Sequence, residues 1–402
     1  MNKILFVIST LEGGGAERTL SNIVTHFPDN WHVDILINNK SFIQYPYKGR
    51  ILSLSLPGCG ERKTILYFLR EVIKRTFYLR KIKKENHYRA CISFLPSSNI
   101  SNVLSGNKYC KTIVSIHSNP INNRLGLFGK IGVILSIKLI YVHADKIISV
   151  SEEITSGLIR YLKISKGKTR TIINGYDSQW LRERMKVPPK NKKVEVLPAN
   201  EQKIVITVGR MVEEKGQWHL IRAFSKVVKK EKNAKLLLIG DGLLKEYLEK
   251  LVNQYDLGGK VIFIGYTENP FWYYALADVF ILPSLSEGYP NALVEAVCCG
   301  VPCIAADVHS GAREILAPQL DAAGKRIEDV SEEKYGVLIP VCSGQMYQHQ
   351  EPLELGERKM AEAILKLLED ASKRFHYRQK SIERSKVLEM NTVIDKWIDV
   401  IV

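Results

Sequence analysis

Several signatures of common protein classes are missing from this chain. No Asp-x-Asp sequence occurs, so a carboxylate-held metal on a diphosphate is not expected. Neither GxGxxG nor GxxxxGK[ST] is present, which argues against a dinucleotide fingerprint and against a P-loop. The seven cysteines show no CxxC spacing, so neither a disulfide framework nor a zinc site is predicted.

Long apolar runs are also missing. The longest, residues 131–142, is shorter than the roughly 20 residues of a membrane-spanning helix and contains Lys138. The apolar run near the amino terminus is short and leads into a Gly13–Gly15 turn rather than a cleavage site, so it indicates a first β-strand rather than a signal peptide. With cysteines in apolar context, the sequence predicts a cytoplasmic protein.

Acidic residues are too few to balance the basic ones. The chain has 42 Asp and Glu against 58 Lys and Arg, a formal net charge of +16. This excess favours a polyanionic partner, a phosphorylated ligand or an anionic membrane surface. The length of 402 residues predicts two domains, and the composition, 45% hydrophobic and 25% charged, is typical of a soluble globular protein.

Short apolar runs alternate with helical patterns along the chain, which predicts parallel α/β layering. The linker-like stretch 187–202 separates two strand series, so we predict two doubly wound domains facing across a cleft. Their predicted bounds are 1–188 and 202–375, and a helix in 376–402 returns to the first domain. A polar loop is expected at 342–356. The predicted strands are 3–9, 32–37, 90–94, 112–116, 146–150 and 170–173, then 203–208, 234–239, 261–264, 279–282, 301–305 and 336–340.

The segment 281–314 is the most informative part of the sequence. A strand runs into a turn with Glu287, and Gly288, Pro290 and Asn291 open a helix that carries Glu295. Free N–H groups and the positive dipole end at such a helix start favour phosphate. Two carboxylates eight residues apart would lie about 12 Å apart along a helical path. This separation suits an extended ligand such as a nucleotide sugar better than one acid–base couple.

Other predicted strands also end in residues that suit an anionic ligand. Arg210 follows Gly209 after the strand 203–208, and Lys215 comes five residues later, so the pair is suited to neutralising a diphosphate. Taken alone, one basic pair is usually a solvated surface. Gly240, Gly242 and Tyr266 follow the next two strands and could hold a base, although each alone is typical of an ordinary connection.

Two further motifs lie in the first half of the chain. The glycine-rich turn 13–15 permits close approach of an anion, but a tight turn without function explains it equally well. His117 follows the strand 112–116 and would face the predicted cleft, although a lone histidine is more often structural.

The segment 62–84 has nine basic residues against one acid, interleaved with apolar side chains. It predicts either a membrane-surface helix or a core-packed helix with a solvated basic side.

Together these motifs resemble the GT-B-fold glycosyltransferases of family 4, a large retaining family that builds bacterial polysaccharides and lipid-linked glycans. The resemblance covers nearly the whole chain and rests on GGGAER, VGR…EKG, GDG and EGYPNALVEA. It implies reaction-centre roles for Glu287, Arg210, Lys215 and His117, and acceptor or membrane contacts for Arg70, Lys74 and Arg75. It implies donor contacts for Gly14, Gly15, Gly209, Gly240, Gly242, Tyr266, Gly288, Tyr289, Pro290, Asn291, Ala292 and Glu295.

The expected reaction moves a hexose or N-acetylhexosamine from a UDP-sugar to a hydroxyl of a growing glycan, with retention and without a metal or other cofactor. Basic helices in similar enzymes imply an undecaprenyl-diphosphate-linked acceptor and a peripheral location on the inner face of the cytoplasmic membrane. The alternative is a basic membrane- or nucleic-acid-binding protein without catalytic activity, but no nucleic-acid motif is present. A nicotinamide-dependent dehydrogenase is disfavoured because the dinucleotide fingerprint is missing.

Overall fold

A computed structural model describes residues 2–41, 43–56, 65–120, 127–190 and 202–402. Most of the predicted linker 187–202 and residues 62–64 of the predicted basic segment lie outside the described residues. The chain divides into two compact units, one of residues 1–175 with 390–402 and one of residues 176–389.

The first unit contains a seven-stranded parallel sheet in the order β3-β2-β1-β4-β5-β6-β7. Its strands are β1 (Asn2–Val7), β2 (Trp31–Ile37), β3 (Arg50–Ser53), β4 (Ala90–Phe94), β5 (Lys111–Ile116), β6 (Lys146–Ser149) and β7 (Thr169–Thr171). Its helices are α1 (Gly15–His26), α2 (Ile65–Asn86), α3 (Pro96–Leu104), α4 (Leu127–Leu139), α5 (Glu152–Arg160) and, after the second unit, α14 (Met390–Ile401).

The second unit has a sheet in the order β10-β9-β8-β11-β12-β14-β13, parallel except for the edge strand β13. Its strands are β8 (Lys203–Val208), β9 (Ala234–Ile239), β10 (Val261–Gly265), β11 (Val279–Leu282), β12 (Cys303–Ala306), β13 (Ser331–Glu333) and β14 (Gly336–Ile339). Its helices are α6 (Ser178–Met185), α7 (Gln217–Lys230), α8 (Lys245–Gln254), α9 (Phe271–Leu276), α10 (Asn291–Cys298), α11 (Ala312–Leu316), α12 (Leu355–Glu369) and α13 (Ala371–Ser385).

Both sheets are doubly wound, which confirms the predicted α/β class. In each, the first strand of the series lies in the interior and the order reverses beside it, between β1 and β4 and between β8 and β11. Right-handed crossovers then place helices on both faces of each sheet. The edge strands β3 and β13 were not predicted. Neither contains a fully buried residue, so neither has the apolar run of a central strand. A bidentate ion pair between Arg50 and the buried Asp34 attaches β3 to its neighbour β2.

The borders of the units differ from the predicted bounds at two places. Helix α6 belongs to the second unit, because Trp180 packs edge-on against Phe271 and the Asn269 amide donates to the carbonyl oxygen of Arg184. Helix α13 also belongs there, whereas only 390–402 returns to the first unit. In α14, Trp397 is 2% exposed and lies 6.1 Å from the Phe94 ring. Helix α14 therefore completes the first core.

Helix α2 has features of both alternatives predicted for the basic segment, the membrane-surface helix and the core-packed helix. Val72, Leu79 and Ile82 are buried on one side, whereas the apolar residues of the opposite side are exposed. The exposed row is spaced by three and four residues and therefore lies on one face. It consists of Leu66, Leu69, Ile73 and Phe77, with the exposed basic residues Arg70, Lys74, Arg80, Lys81 and Lys84 on the same helix.

The prediction that Arg75 contacts an acceptor or membrane is wrong. Its side chain is 0% exposed and forms an ion pair with Glu71 one turn earlier. Arg75 also donates to Ser97 Oγ at 3.1 Å and to Ser9 Oγ at 3.3 Å. Burial alone would raise the pKa of Glu71, but the charge of Arg75 and hydrogen bonds from Asn38 and Ser97 hold that pKa below its ordinary value. The pair is therefore ionised and fixes α2 to the carboxyl ends of β1, β2 and β4.

Among the described helices, none combines the length and the apolar content that crossing a bilayer requires.

Replacing Arg75 by Ala should destabilise the first unit strongly. The change leaves the Glu71 carboxylate buried without its cation, which costs about 3–5 kcal/mol. Thermal and urea unfolding of the full chain should therefore shift to lower temperature and lower denaturant. The exposed Arg70→Ala is the matched control and should change stability by less than about 0.5 kcal/mol. Equal stability of the two variants would contradict the assigned role of the pair.

Candidate active site

The carboxyl ends of β8 and β11 meet where the strand order of the second sheet reverses. Loops that leave two such strands run in opposite directions, and the crevice between them is where doubly wound sheets bind ligands. The loop after β8 covers residues 209–216 and the loop after β11 covers residues 283–290. They carry three of the four residues predicted at the reaction centre, Arg210, Lys215 and Glu287.

An ion pair joins the two loops across this crevice. Lys215 Nζ lies 2.6 Å from Glu287 Oε1, with the side chains 24% and 10% exposed. Ser284 Oγ donates to the same carboxylate oxygen at 2.7 Å. The backbone N–H of Leu285 donates to the Glu214 carbonyl oxygen at 2.8 Å. The predicted proximity of Lys215 and Glu287 is therefore present, and the pair fixes a cation and a carboxylate at the edge of the sheet.

Arg210 lies on the same loop and is exposed. The side-chain amide of Gln217 donates to the Arg210 carbonyl oxygen at 3.0 Å, which holds the backbone in place. Within the described part of the chain, no hydrogen bond or ion pair engages its guanidinium group. This cation is therefore available to an anionic ligand at the carboxyl end of β8.

The turns after β8, β9 and β10 contact one another through their backbones. The N–H of Gly240 donates to the Gly265 carbonyl oxygen at 2.9 Å. Gly240 has φ +131°, and a Cβ atom there would overlap the carbonyl oxygen of Gly209. A Cβ on Gly242 would lie 2.5 Å from the Met211 carbonyl oxygen. The predicted glycines therefore permit three strand-end loops to pack directly against each other.

Tyr266 follows β10 directly and is 65% exposed. It stands at the end of this group of turns, where the sequence predicted the base of a nucleotide. An exposed aromatic ring offers a stacking surface for a base. Its contact with a base stays a prediction.

The turn after Glu287 leads into α10. Pro290 is the N-cap residue and Asn291 is the first residue of the helix. Glu295 lies further along α10 and is 8% exposed. The start of the helix is therefore next to the Glu287–Lys215 pair, as the sequence predicted. Ala292 is held there by Tyr274, whose hydroxyl donates to the Ala292 carbonyl oxygen at 3.0 Å.

The side chain of Tyr289 is buried, and its donor contact, predicted through the backbone of the turn 288–291, stays a prediction. It is 5% exposed, and burial raises the pKa of its phenol in the neighbourhood of Arg384 and Glu314. No described residue forms a hydrogen bond with its hydroxyl. The ring therefore anchors the turn in the interior, and at the surface Tyr289 can offer only its backbone.

The remaining predicted residues belong to the first unit. Gly14 is the N-cap of α1, and Gly15 is its first residue, so the glycine turn follows β1 as expected. His117 follows β5; its Nε2 lies 2.9 Å from Ser115 Oγ and its ring lies 5.1 Å from the Phe94 ring. Burial lowers the pKa of His117 to about 3, so the imidazole is neutral near pH 7. Its role at a sugar stays a prediction.

A second polar cluster explains the predicted loop 342–356. Candidate ligand atoms of His219, Cys342 and Glu354 lie within 4.8 Å of one another, close enough to hold a metal ion. However, the N–H of Gly344 donates to His219 Nε2 at 3.2 Å, and His219 Nδ1 lies 2.8 Å from Glu357 Oε1. With Nε2 accepting, Nδ1 carries the proton and cannot bind a metal. The cluster fits a hydrogen-bonded anchor for the loop.

Sequence reasoning did not single out the loop 307–311 after β12, which touches the Glu287 turn. A Cβ on Gly311 would lie 2.6 Å from Pro290 Cδ. The sequence does contain a signal for this loop, because polar residues follow the predicted strand 301–305 just as Arg210 follows the strand 203–208. These polar residues are Asp307, His309 and Ser310.

Two family models match the chain. One, described as Glycosyltransferase Family 4, matches residues 13–180, and the other, Glycosyl transferases group 1, matches residues 189–332. An uncharacterized glycosyltransferase of Methanocaldococcus jannaschii, MJ1059, is 32% identical over 81% of this chain and 82% of its own length. The chain is a family 4 glycosyltransferase.

A second relative of this glycosyltransferase is a Campylobacter jejuni enzyme, 25% identical over 97% of this chain and 96% of its own. It is named N-acetylgalactosamine-N,N'-diacetylbacillosaminyl-diphospho-undecaprenol 4-alpha-N-acetylgalactosaminyltransferase.

Solved structures agree on the fold. Anabaena Alr3699/HepE in complex with UDP and glucose is similar to the glycosyltransferase, with a TM-score of 0.74 at 18% identity over 100% of this chain and 99% of that one. Sucrose-phosphate synthase of Thermosynechococcus elongatus has a TM-score of 0.75 at 20% identity over 100% and 98%. These likenesses support the GT-B fold with two Rossmann-like halves.

Replacing Gly240 by Ala should lower the melting temperature of the glycosyltransferase. The new Cβ would overlap the Gly209 carbonyl oxygen and hold an unfavourable φ, and such backbone strain alone costs about 1–3 kcal/mol. Gly258→Ala is the matched control, because nothing lies within 4 Å of the added atom. If both variants have the same melting temperature as the wild type, the turns do not require close backbone contact at Gly240.

Proposed function

We propose that this glycosyltransferase moves a hexose or N-acetylhexosamine from a UDP-sugar to a hydroxyl of a lipid-diphosphate-linked glycan, with retention at the anomeric carbon and without a metal. The Lys215–Glu287 pair beside the open Arg210 carries the proposal, because it sets charges of both signs where a doubly wound sheet binds ligand.

We propose that the donor lies along the carboxyl edge of the second sheet, with its base, ribose and diphosphate at different strand ends. Tyr266 and the turns after β9 and β10 offer a place for a base, and the carboxylate of Glu295 suits ribose hydroxyls. Arg210, Lys215 and the start of α10 suit the diphosphate, because guanidinium, ammonium and helix N–H groups all bind phosphate oxygens. The presence of UDP in the HepE complex supports the choice of base.

Charge development on the leaving group is the chemical difficulty. The bond from the anomeric carbon to the β-phosphate oxygen breaks, and the acceptor oxygen forms the new bond. The acceptor proton passes to the departing phosphate, which is the nearest base when attack occurs on the same face. Arg210 and Lys215 would stabilise the diphosphate charge in advance of the reaction. These cations, with no Asp-x-Asp in the sequence, support transfer without a metal.

Glu287 has two compatible tasks in this scheme. It holds Lys215 through the ion pair, and we propose that its carboxylate stabilises the positive charge that develops on the sugar ring. We favour an electrostatic role over a covalent one, because Glu287 Oε1 is already engaged by Lys215 and Ser284.

Two observations support a lipid-linked acceptor, the name of a relative and the exposed face of α2. The Campylobacter enzyme is named for a diphospho-undecaprenol acceptor, which supports a lipid-linked acceptor here. The exposed apolar row of α2, Leu66, Leu69, Ile73 and Phe77, with the exposed Arg70 and Lys74, would bind an anionic membrane surface where such acceptors reside. Arg75 has no part in this surface because it is buried.

Arg210→Ala should lower kcat/KM for the UDP-sugar by a factor of about 100 or more, because one cation is lost at the leaving group. Glu295→Ala should weaken UDP binding about tenfold through loss of charged hydrogen bonds. UDP binding is measured by calorimetry and by the rise in melting temperature. Turnover is measured with UDP-glucose, UDP-galactose and their N-acetyl forms on a lipid-diphosphate acceptor.

Arg358→Ala, an exposed arginine of α12, is the control for loss of positive charge and should behave as wild type. Turnover should also persist in EDTA. Unchanged activity of both Arg210→Ala and Glu295→Ala would refute the assigned site, and loss of turnover in EDTA would refute the metal-free scheme.

Ile73→Glu with Phe77→Glu should abolish co-sedimentation with phosphatidylglycerol vesicles, because two carboxylates then replace apolar contacts on the exposed face of α2. Binding of the wild type should weaken at high salt, as expected for an anionic surface. The control is Phe375→Glu, which changes an equally exposed aromatic residue of α13 in the second unit. Vesicle binding that survives the double change would show that α2 is not the membrane contact.

A further inference from the structure

The longest apolar run of the sequence, residues 131–142, forms the greater part of α4 and the turn after it. One side of this helix enters the core, where Ile137 is 1% exposed. Ile131, Leu135 and Leu139 are instead 45%, 47% and 64% exposed. Their spacing of four residues places them in one row along the helix, about 12 Å long. The run therefore leaves an apolar row at the surface of the first unit.

The strand order places α4 on the same face of the first sheet as α2. The connections from β3 to β4, from β4 to β5 and from β5 to β6 all cross the sheet in one direction. Right-handed crossovers then put α2, α3 and α4 on one face, whereas α1, which connects β1 to β2 in the opposite direction, lies on the other. Helix α2 contacts α3, and α3 contacts the turn Tyr141–His143 that follows α4. The exposed rows of α2 and α4 therefore lie on one surface, with α3 between them.

Two apolar rows on one surface need a partner that reaches both of them. Packed helices lie about 8–10 Å apart, so the rows of α2 and α4 are about 20 Å apart. Single exposed apolar residues are normal on a protein, but an extended apolar surface marks an interaction site. A bilayer is extended enough to cover both rows at once.

The charge of this surface indicates the same partner. The sequences of α2, α3 and α4 contain two acids, the buried Glu71 and Glu85. The exposed basic residues of these helices are Arg70, Lys74, Arg80, Lys81, Lys84 and Lys138. A second copy of the chain would bring the same cations to the contact, and like charges that face each other oppose association. Anionic lipid headgroups supply the opposite charge, with an apolar layer beneath them.

We propose that α4 is a second membrane contact, which inserts Ile131, Leu135 and Leu139 among the headgroups of an anionic bilayer while Lys138 contacts lipid phosphates. The inference rests on the proposed membrane contact of α2 and adds a second line of contact on the same surface. Two lines about 20 Å apart define a plane, whereas one helix alone leaves the unit able to rotate about its axis. The first unit therefore docks in one orientation.

Ile131→Gln with Leu135→Gln should lower the partition coefficient onto phosphatidylglycerol vesicles about tenfold or more, because two apolar side chains no longer enter the headgroup layer. Glutamine preserves both the net charge and the helix propensity, so the loss isolates the apolar contact. The matched control is Leu355→Gln with Phe375→Gln, which changes residues of the second unit that are 48% and 65% exposed. Since scattered exposed apolar residues need no partner, the control should bind within about twofold of the wild type.

Two further variants report on α4 directly. Lys138→Gln should weaken vesicle binding about fivefold at low salt and much less at high salt, where the charge is screened. Leu139→Trp adds a tryptophan to the five of the wild type, and nitroxide-labelled lipid in the vesicles should quench its added emission. Phe375→Trp is the control for this measurement and should be quenched much less.

Melting temperatures verify that each variant is folded. Equal vesicle binding of the α4 double variant and the wild type would overturn the inference, as would quenching of Leu139→Trp no stronger than that of Phe375→Trp. Loss of self-association without loss of vesicle binding would assign the row to a second copy of the chain instead. Vesicle binding that depends on α2 but not on α4 refutes only this inference, whereas a wild type that does not bind vesicles refutes the proposed membrane contact itself.

Discussion

The ion pair between Lys215 and Glu287 is the contact on which the candidate site depends. Each residue comes from a loop at the carboxyl end of a different strand, and the two loops diverge because the strand order reverses between β8 and β11. The pair holds the diverging loops together beside the backbone hydrogen bond from Leu285 to Glu214. The pair also keeps an ammonium group at the crevice before any anion arrives, so little reorganisation is needed at binding.

The first unit also has an ion pair at the point where its strand order reverses, but that pair is more deeply buried. Its Glu71–Arg75 pair lies at the reversal between β1 and β4, where Ser9 and Ser97 also converge. There the charges are buried and saturated by neighbours, so the pair fastens α2 and leaves the outer side of that helix uncovered. One chain thus places a carboxylate and a cation at both strand reversals, once as an anchor and once at an accessible edge.

Much of this organisation could be predicted because parallel strands have a strong apolar signal and their ends carry polar residues. Lys215 and Glu287 came together for that reason. Arg75 could not be placed, since a helix with basic residues on every side does not reveal which one enters the interior. Its acceptors, Ser9 and Ser97, lie far away in sequence. The loop 307–311 was not predicted at the site, because its approach to the Glu287 turn, where Gly311 meets Pro290, depends on tertiary packing that no local pattern reveals.

The division of the chain has a consequence for its synthesis. The first unit needs α14, whose Trp397 and Met390 lie in its core, yet the whole of residues 176–389 is made in between. At roughly 5–20 residues per second, the ribosome takes on the order of 10–40 seconds to produce that insertion. During this interval the sheet of the first unit lacks the helix that covers part of its core. The second unit, residues 176–389, has all of its segments once it has left the ribosome. The core of the first unit can therefore close only after α14 has been made.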